Sequence, residues 1–415
     1  MVNDLKERLL LWKEWEPPKL IERDIRLPEG NDIIAIIGPR RSGKTYLMFQ
    51  IIKNLINNGV PKENILYINF DDIVFRKYDL NKIFETYFEL FNPKGNIYLF
   101  FDEVQELKDY PVWLRTLHDR GYKIFITGSS SKLMIKEISK ELRGRYISKI
   151  LLPFSFKEFL KLKNFKFEDT SEKRGKIKNL LLEYLKFGGF PEVLLIENNI
   201  DKIEKLNSIY ETTFYRDFVE RYKIREINIA KELLEYLISN ISNFISISRI
   251  YNIFKSININ VSKRTLWKYY NYILESLILF ESRLYTYSKR KEIINPRKIY
   301  VNDLGIANLF KDYEIGYLME NLVYLELFRK GIEPNYLKIN GKEIDFLYKE
   351  NNLLKLIEVT YEVDEEHINK VKKALDFLKI SESLIISWNE ENEIKYNNKK
   401  INIIPLWKFL LNTTL

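Results

Sequence analysis

Eight consecutive residues, Gly38-Pro39-Arg40-Arg41-Ser42-Gly43-Lys44-Thr45, have the types and spacing to hold a polyphosphate. Gly38 and Gly43 let the backbone turn tightly enough for its N–H groups to point at phosphate oxygens. Lys44 sets a charge against the β- and γ-phosphates, and the Thr45 hydroxyl is a ligand for Mg²⁺. The apolar run Ile33–Ile37 leads into this loop, and a helix-forming segment, 46–58, leads out of it. A second apolar run, 97–101, ends in Asp102-Glu103. Asp102 is placed to hold the Mg²⁺, directly or through water, and Glu103 to polarise the attacking water. The expected chemistry is binding of MgATP, followed by its hydrolysis.

Three further constellations stand apart from the loop. Residues 124–127 lead into the hydroxyl cluster Ser129-Ser130-Ser131, where a hydroxyl can bond a γ-phosphate or the lytic water. Arg143 and Arg145 precede the run 146–151, and an arginine there can reach the nucleotide of a neighbouring subunit. Eleven basic residues against three glutamates crowd 246–300, an excess of eight positive charges in a chain whose net charge is +9. Such localisation is an electrostatic footprint for nucleic acid. Within it Lys263, Arg264 and Lys268 lie near the start of a helix, and Lys289, Arg290 and Lys291 fall between two strand-like runs. Glu320, Asp345 and Glu358 make a second carboxylate set, able to hold a metal for phosphodiester hydrolysis if the fold brings them together. Thr360 stands where that chemistry calls for a lysine. Lys355 falls on the opposite face of its strand from Glu358, leaving Lys338 or Lys342 to reach in.

The elements that must position these residues follow from pattern. Up to residue 152, apolar strands alternate with amphipathic helices, and strands without polar alternation suit a parallel sheet covered on both faces. Residues 153–224 read as a helical lid, broken at Gly188-Gly189-Phe190-Pro191. Three helices and a hairpin over 225–301 make a winged helix–turn–helix, whose third helix would enter a major groove while the hairpin tip touches phosphates. Residues 302–415 read as a C-terminal α/β domain. The chain has no cysteine and two histidines, which excludes disulfides, thiolate zinc sites and histidine clusters. No apolar run reaches the roughly 20 residues a membrane span needs, and the first residues carry no signal-peptide pattern, so a cytoplasmic protein without membrane partners is expected.

These motifs together resemble the archaeal and bacterial AAA+-type ATPases, relatives of the replication-initiator and signal-transduction clades. Those proteins join a P-loop ATPase core to a winged helix and a C-terminal restriction-endonuclease-like domain. The carriers are the phosphate loop, Phe101-Asp102-Glu103-Val104-Gln105, Thr127-Gly128-Ser129-Ser130, Leu142-Arg143-Gly144-Arg145, Pro153-Phe154-Ser155-Phe156-Lys157-Glu158-Phe159, Gly188-Gly189-Phe190-Pro191-Glu192 and Glu343-Ile344-Asp345-Phe346. The resemblance implies that Ser129 takes the sensor position, that Arg145 or else Arg143 is the arginine finger, and that the protein works as a ring or head-to-tail homo-oligomer. Three functions compete: an ATPase that remodels or translocates on nucleic acid, most simply DNA; a slow ATP-controlled assembly switch with protein partners; and an ATP-dependent nuclease, which Thr360 disfavours.

Overall fold

The computed structural model describes residues 2–128 and 138–411, in two compact units, Met1–Leu152 and Pro153–Leu415. The first is built on a five-stranded sheet. Its strands are β1 (Ile33–Ile37), β2 (Ile65–Asn69), β3 (Tyr98–Asp102), β4 (Lys123–Thr127) and β5 (Tyr146–Ile150). They lie in the order β2-β3-β4-β1-β5, every neighbouring pair parallel. β1 is buried at all five positions, as its unbroken run of isoleucine and alanine requires.

Helix Lys44–Asn57 packs Leu47, Met48 and Ile52 on the β1 side of the core, beside Phe100 and Phe125, whose rings stack 4.7 Å apart. A helix over Val2–Glu14, not foreseen from the sequence, adds Trp12 to this core, and its indole N–H donates to the Ile65 carbonyl at 2.7 Å. Leu5, Leu9 and Trp12 are buried at a helical spacing, so one face of this helix is held by apolar burial.

The second unit begins with helices Phe156–Leu162, Ser171–Phe187 and Asn199–Thr212. The last of these helices changes winding at its end, and Thr213–Glu220 is a π-helix. Helices Ile227–Ile238, Ile247–Ser256 and Lys263–Glu275 follow, with a small antiparallel sheet of β6 (Phe244–Ile245), β7 (Leu279–Ser282) and β8 (Arg297–Val301) in the order β6-β8-β7. The link between β7 and β8 is not the open hairpin tip the sequence suggested. It holds a short helix, Lys289–Ile294, capped by the Ser288 side chain, which accepts from the Lys291 N–H.

The unit ends in a six-stranded mixed sheet, β13-β14-β12-β11-β10-β9. Its strands are β9 (Asn335–Ile339), β10 (Lys342–Glu350), β11 (Leu353–Val359), β12 (Glu382–Ser387), β13 (Asn392–Tyr396) and β14 (Lys399–Pro405). Val371, Ala374 and Leu375 of helix Glu365–Leu378 close the core on one face of that sheet.

The glycine pair at 188–189 does more than stop a helix. Gly188 has φ 73°, and a Cβ there would lie 1.9 Å from Asp303 Oδ1. The Asp303 carboxylate accepts from the Gly189 N–H at 2.6 Å and from the Gly305 N–H at 2.9 Å. Burial pushes its carboxyl up to about 7 against those hydrogen bonds.

Candidate functional site

β1 delivers the phosphate loop and β3 delivers Asp102-Glu103, with β4 lying between those two strands. Gly43 caps helix Lys44–Asn57 in a left-handed conformation, φ 93°, and offers no side chain of its own to the first-turn N–H groups. A helix end of this kind leaves donors and the positive end of the helix dipole for an anion. The loop admits no bulk at its start, because a Cβ on Gly38 would lie 2.1 Å from the Leu151 carbonyl oxygen. Lys44 is buried beneath the loop and donates to the Gly38 and Pro39 carbonyls at 3.1 and 3.2 Å. Ser42 is wholly buried, and its hydroxyl has no hydrogen-bond partner among the described residues. Arg40 and Arg41 complete the loop, Arg41 with φ 62°.

Asp102 is the focus of the site. It accepts from Thr45 Oγ1 at 2.7 Å, from the Tyr67 hydroxyl at 3.0 Å and from Thr127 Oγ1. Burial nevertheless raises its carboxyl above the ordinary aspartate value, which three neutral donors offset only in part. Thr127 Oγ1 also accepts the Glu103 N–H at 3.1 Å, so one β4 hydroxyl ties both acids together. Glu103 sits in the left-handed region, φ 51°, a costly conformation for a residue with a Cβ and one that clusters at functional sites. Its Oε2 accepts from Gln105 Nε2 at 2.6 Å.

These groups fit MgATP on their own chemistry. The buried, partnerless Ser42 hydroxyl, the uncapped helix end and the destabilised Asp102 charge are each relieved by an anion and its counter-cation.

Sequence reasoning missed two residues here and named Thr127 only within the run leading to the hydroxyl cluster. Tyr67 is found only once β2 is known to flank β3. Arg23 is buried, and its guanidinium donates to the Ser42 carbonyl at 2.6 Å and the Leu152 carbonyl at 2.7 Å, bracing the loop from behind. No local signal marked it. Arg145 is exposed and forms an ion pair with Asp119 of its own chain at 2.6 Å; Ser129 lies outside the described residues.

In the second unit, Lys263, Arg264 and Lys268 are exposed along helix Lys263–Glu275, and Lys289, Arg290 and Lys291 are exposed on the short helix after β7. The cations of the 246–300 stretch are unevenly paired, with Glu281 and Glu292 of the same stretch taking three of them. Arg283 pairs with Glu281 and Glu292, Lys289 with Glu292, and Arg297 with Glu281.

Lys298, counted among those eleven cations, is buried. Its Nζ lies 2.6 Å from Glu320 Oε1, 2.6 Å from Glu343 Oε1 and 3.1 Å from Asp345 Oδ1. This corrects the proposed second metal site at Glu320, Asp345 and Glu358. An ammonium sits among the carboxylates, and Glu358 pairs instead with Lys370 of helix Glu365–Leu378. Among the described residues, no group of three or more histidine, aspartate and glutamate side chains is arranged to hold a metal ion. Lys338 lies over the Phe244 ring at 3.9 Å and Lys342 pairs with Glu366, so neither reaches the cluster. Thr360 Oγ1 donates to the Glu362 carbonyl. Burial opposes the Lys298 charge, but Glu320, Asp345 and Glu343 outweigh it and hold the lysine well above its ordinary value. Burial also pushes Glu320 up to about 8. Four carboxylates facing two lysines leave excess negative charge, so the cluster retains a proton at neutral pH.

A parallel sheet carrying a phosphate loop on one strand and an Asp-Glu pair two strands away defines a P-loop ATPase core. A family model described as an AAA domain matches residues 30–160, and a domain of unknown function matches 178–314. The uncharacterized protein MJ1544 of Methanocaldococcus jannaschii is 39% identical over 95% of this chain and 91% of its own length. The chain belongs to the family of that archaeal protein. An uncharacterized protein of Haemophilus influenzae is 28% identical over 83% of this chain and 86% of its own. Among solved structures, Cdc6p from Pyrobaculum aerophilum matches at 13% identity, over 77% of this chain and 93% of that one, with a TM-score of 0.27, too low to carry an argument. No described helix is long and apolar enough to cross a membrane.

Proposed function

We propose that this protein is a Mg²⁺-dependent ATPase whose turnover is coupled to binding nucleic acid, most simply DNA, in a homo-oligomer. The observation that carries the ATPase reading is the Thr45–Asp102–Thr127–Glu103 constellation beside the uncapped helix end at Gly43. A cation held by Thr45 and, directly or through water, by Asp102 would supply charge neutralisation on the phosphates. Loop N–H groups and Lys44 bind and orient the triphosphate. Glu103, aimed by its left-handed backbone and the Gln105 amide, takes the proton of the attacking water. Ser129 would orient the γ-phosphate, and Arg145 would leave Asp119 to complete a neighbour's site; that exposed pair is worth at most about 1 kcal/mol, a small barrier to exchange.

The nucleic-acid half of the reading rests on the winged helix–turn–helix pattern over 225–301, the helical lid before it at 153–224, and the exposed cations of helix Lys263–Glu275. The partial pairing of the wing, where Arg283, Lys289 and Arg297 meet Glu281 and Glu292, favours a second reading, in which slow hydrolysis governs an assembly and the basic domain docks on protein. Steady-state ATPase rates with and without duplex DNA separate the two. Strong stimulation that fades with salt and disappears in Glu103→Gln supports the DNA-coupled machine. A slow rate indifferent to DNA at low salt favours the switch. Glu103→Gln should lower turnover by about 10²–10⁴-fold while ATP still binds.

A further inference from the structure

A cleft of about 740 Å³ opens in the second unit between the segment after the π-helix and helix Lys263–Glu275. Tyr222, Lys223 and Arg225 line one side, and Thr265, Lys268 and Tyr269 the other. Its volume lies within the roughly 300–1,000 Å³ of small-ligand sites. Lys223, Arg225 and Lys268 are exposed, and among the described residues none has a carboxylate partner, in contrast to Arg283, Lys289 and Arg297 of the wing. The single lining carboxylate, Glu226, accepts from the Tyr269 hydroxyl at 3.3 Å, which leaves the cleft net positive. Tyr222 stacks on Tyr272 with ring centroids 4.2 Å apart, and the Lys268 ammonium lies 5.6 Å from the Tyr272 ring. A concave site that joins three unpaired cations, a threonine hydroxyl and a rigidly held tyrosine suits a ligand carrying both phosphate and a flat ring.

We propose that this cleft takes an unstacked nucleotide of a single nucleic-acid strand, its base against Tyr222 and its phosphates against Lys223, Arg225 and Lys268. A strand is favoured over a free nucleotide because Lys263 and Arg264 stand exposed one turn away on the same helix, where flanking phosphates would run. A duplex would have to unstack a base to enter. The inference rests on the nucleic-acid reading of the preceding section and adds Tyr222, Lys223 and Arg225 to it.

The test is fluorescence anisotropy of the full chain with a labelled oligothymidylate about twelve nucleotides long, a matching duplex, and labelled thymidine monophosphate, at about 50 and 200 mM salt. Lys223→Ala/Arg225→Ala/Lys268→Ala should weaken strand binding by about tenfold or more and lower the salt slope by two to three. Tyr222→Leu should weaken it by about 5- to 100-fold with the salt slope unchanged, the signature of lost stacking. Photocrosslinking of an iodouracil-bearing strand should label Tyr222 or Tyr269. Wild-type strand affinity in the triple variant, with crosslinks elsewhere, overturns the cleft while leaving nucleic-acid binding intact. Capture of the monophosphate but no strand overturns the choice of a strand. Wild-type protein that binds neither strand nor duplex overturns the cleft together with the reading beneath it.

Discussion

Replacing Lys298 by methionine tests the electrostatic account of the second unit. Methionine keeps most of the length and apolar stem but removes the ammonium that lies within 2.6–3.1 Å of Glu320, Glu343 and Asp345. Breaking one side of a buried ion pair costs about 3–5 kcal/mol, because the other side is left uncompensated. Here the carboxylates can escape by taking up protons, so the cost depends on pH. Glu320 is raised from an ordinary 4.5 to about 8. A raised folded value means that stability is fully present below 4.5 and is lost as pH climbs through 8. At about 1.4 kcal/mol per tenfold change in proton affinity, the upper bound on that loss is about 5 kcal/mol in the wild type.

Without Lys298, Glu320 loses a neighbour that lowers its value, so Lys298→Met should be mildly destabilising at pH 5.5 and severely so at pH 8.5. Native-state hydrogen exchange read by mass spectrometry on peptides from β8 and β10 measures this unit separately from the first. The double variant Lys298→Met/Glu320→Gln should recover part of the loss at pH 8.5, as expected for groups that interact directly. An equal penalty at both pH values, or one below about 1 kcal/mol, would refute the argument that a lysine neutralises this cluster.

Thr127→Val removes the hydroxyl shared by Asp102 and the Glu103 N–H; turnover should fall by about 10–100-fold with ATP affinity little changed, measured by ATPase kinetics beside nucleotide titration. Gly188→Ala puts a Cβ 1.9 Å from Asp303 Oδ1 at φ 73°, so exchange protection across residues 185–190 and 303–307 should drop by the equivalent of about 3 kcal/mol or more. Asp303, raised by burial to about 7, should make the second unit less stable as pH rises from about 4 to 7; in Asp303→Asn that part of the slope should vanish, with a constant penalty from one mismatched N–H. A variant as steep as wild type would show that Asp303 is ionised throughout.

Local pattern placed the strand runs read at 33–37, 97–101, 124–127 and 146–151 within a residue or two and singled out Lys44, Thr45, Asp102 and Glu103 as site candidates, because a phosphate loop is contiguous and a buried parallel strand reads as an unbroken apolar run. The same approach placed the three helices and the paired strands of 225–301. It failed where one residue's role depends on another far along the chain. Tyr67 matters because β2 flanks β3, an order that strand patterns do not carry. Arg23 reaches Ser42 and Leu152 only after the chain closes.

Charge counted along the sequence overstated the basic face, since Lys298 is buried against Glu320, Glu343 and Asp345, carboxylates that lie outside the 246–300 stretch. The carboxylate set Glu320, Asp345 and Glu358 was legible as a set, and its meaning was not. Register sets Phe346 opposite Ile357, which brings Asp345 and Glu358 together, but Lys298 enters from β8 and Lys370 from a helix after β11. Residues adjacent along the chain sufficed to mark the candidate nucleotide site, because that site is built from one loop and one strand end. What neutralises the buried acids became legible with the folded arrangement alone, because a charge in a low-dielectric interior is answered by whichever group the fold brings within about 3–4 Å, wherever it lies in the chain.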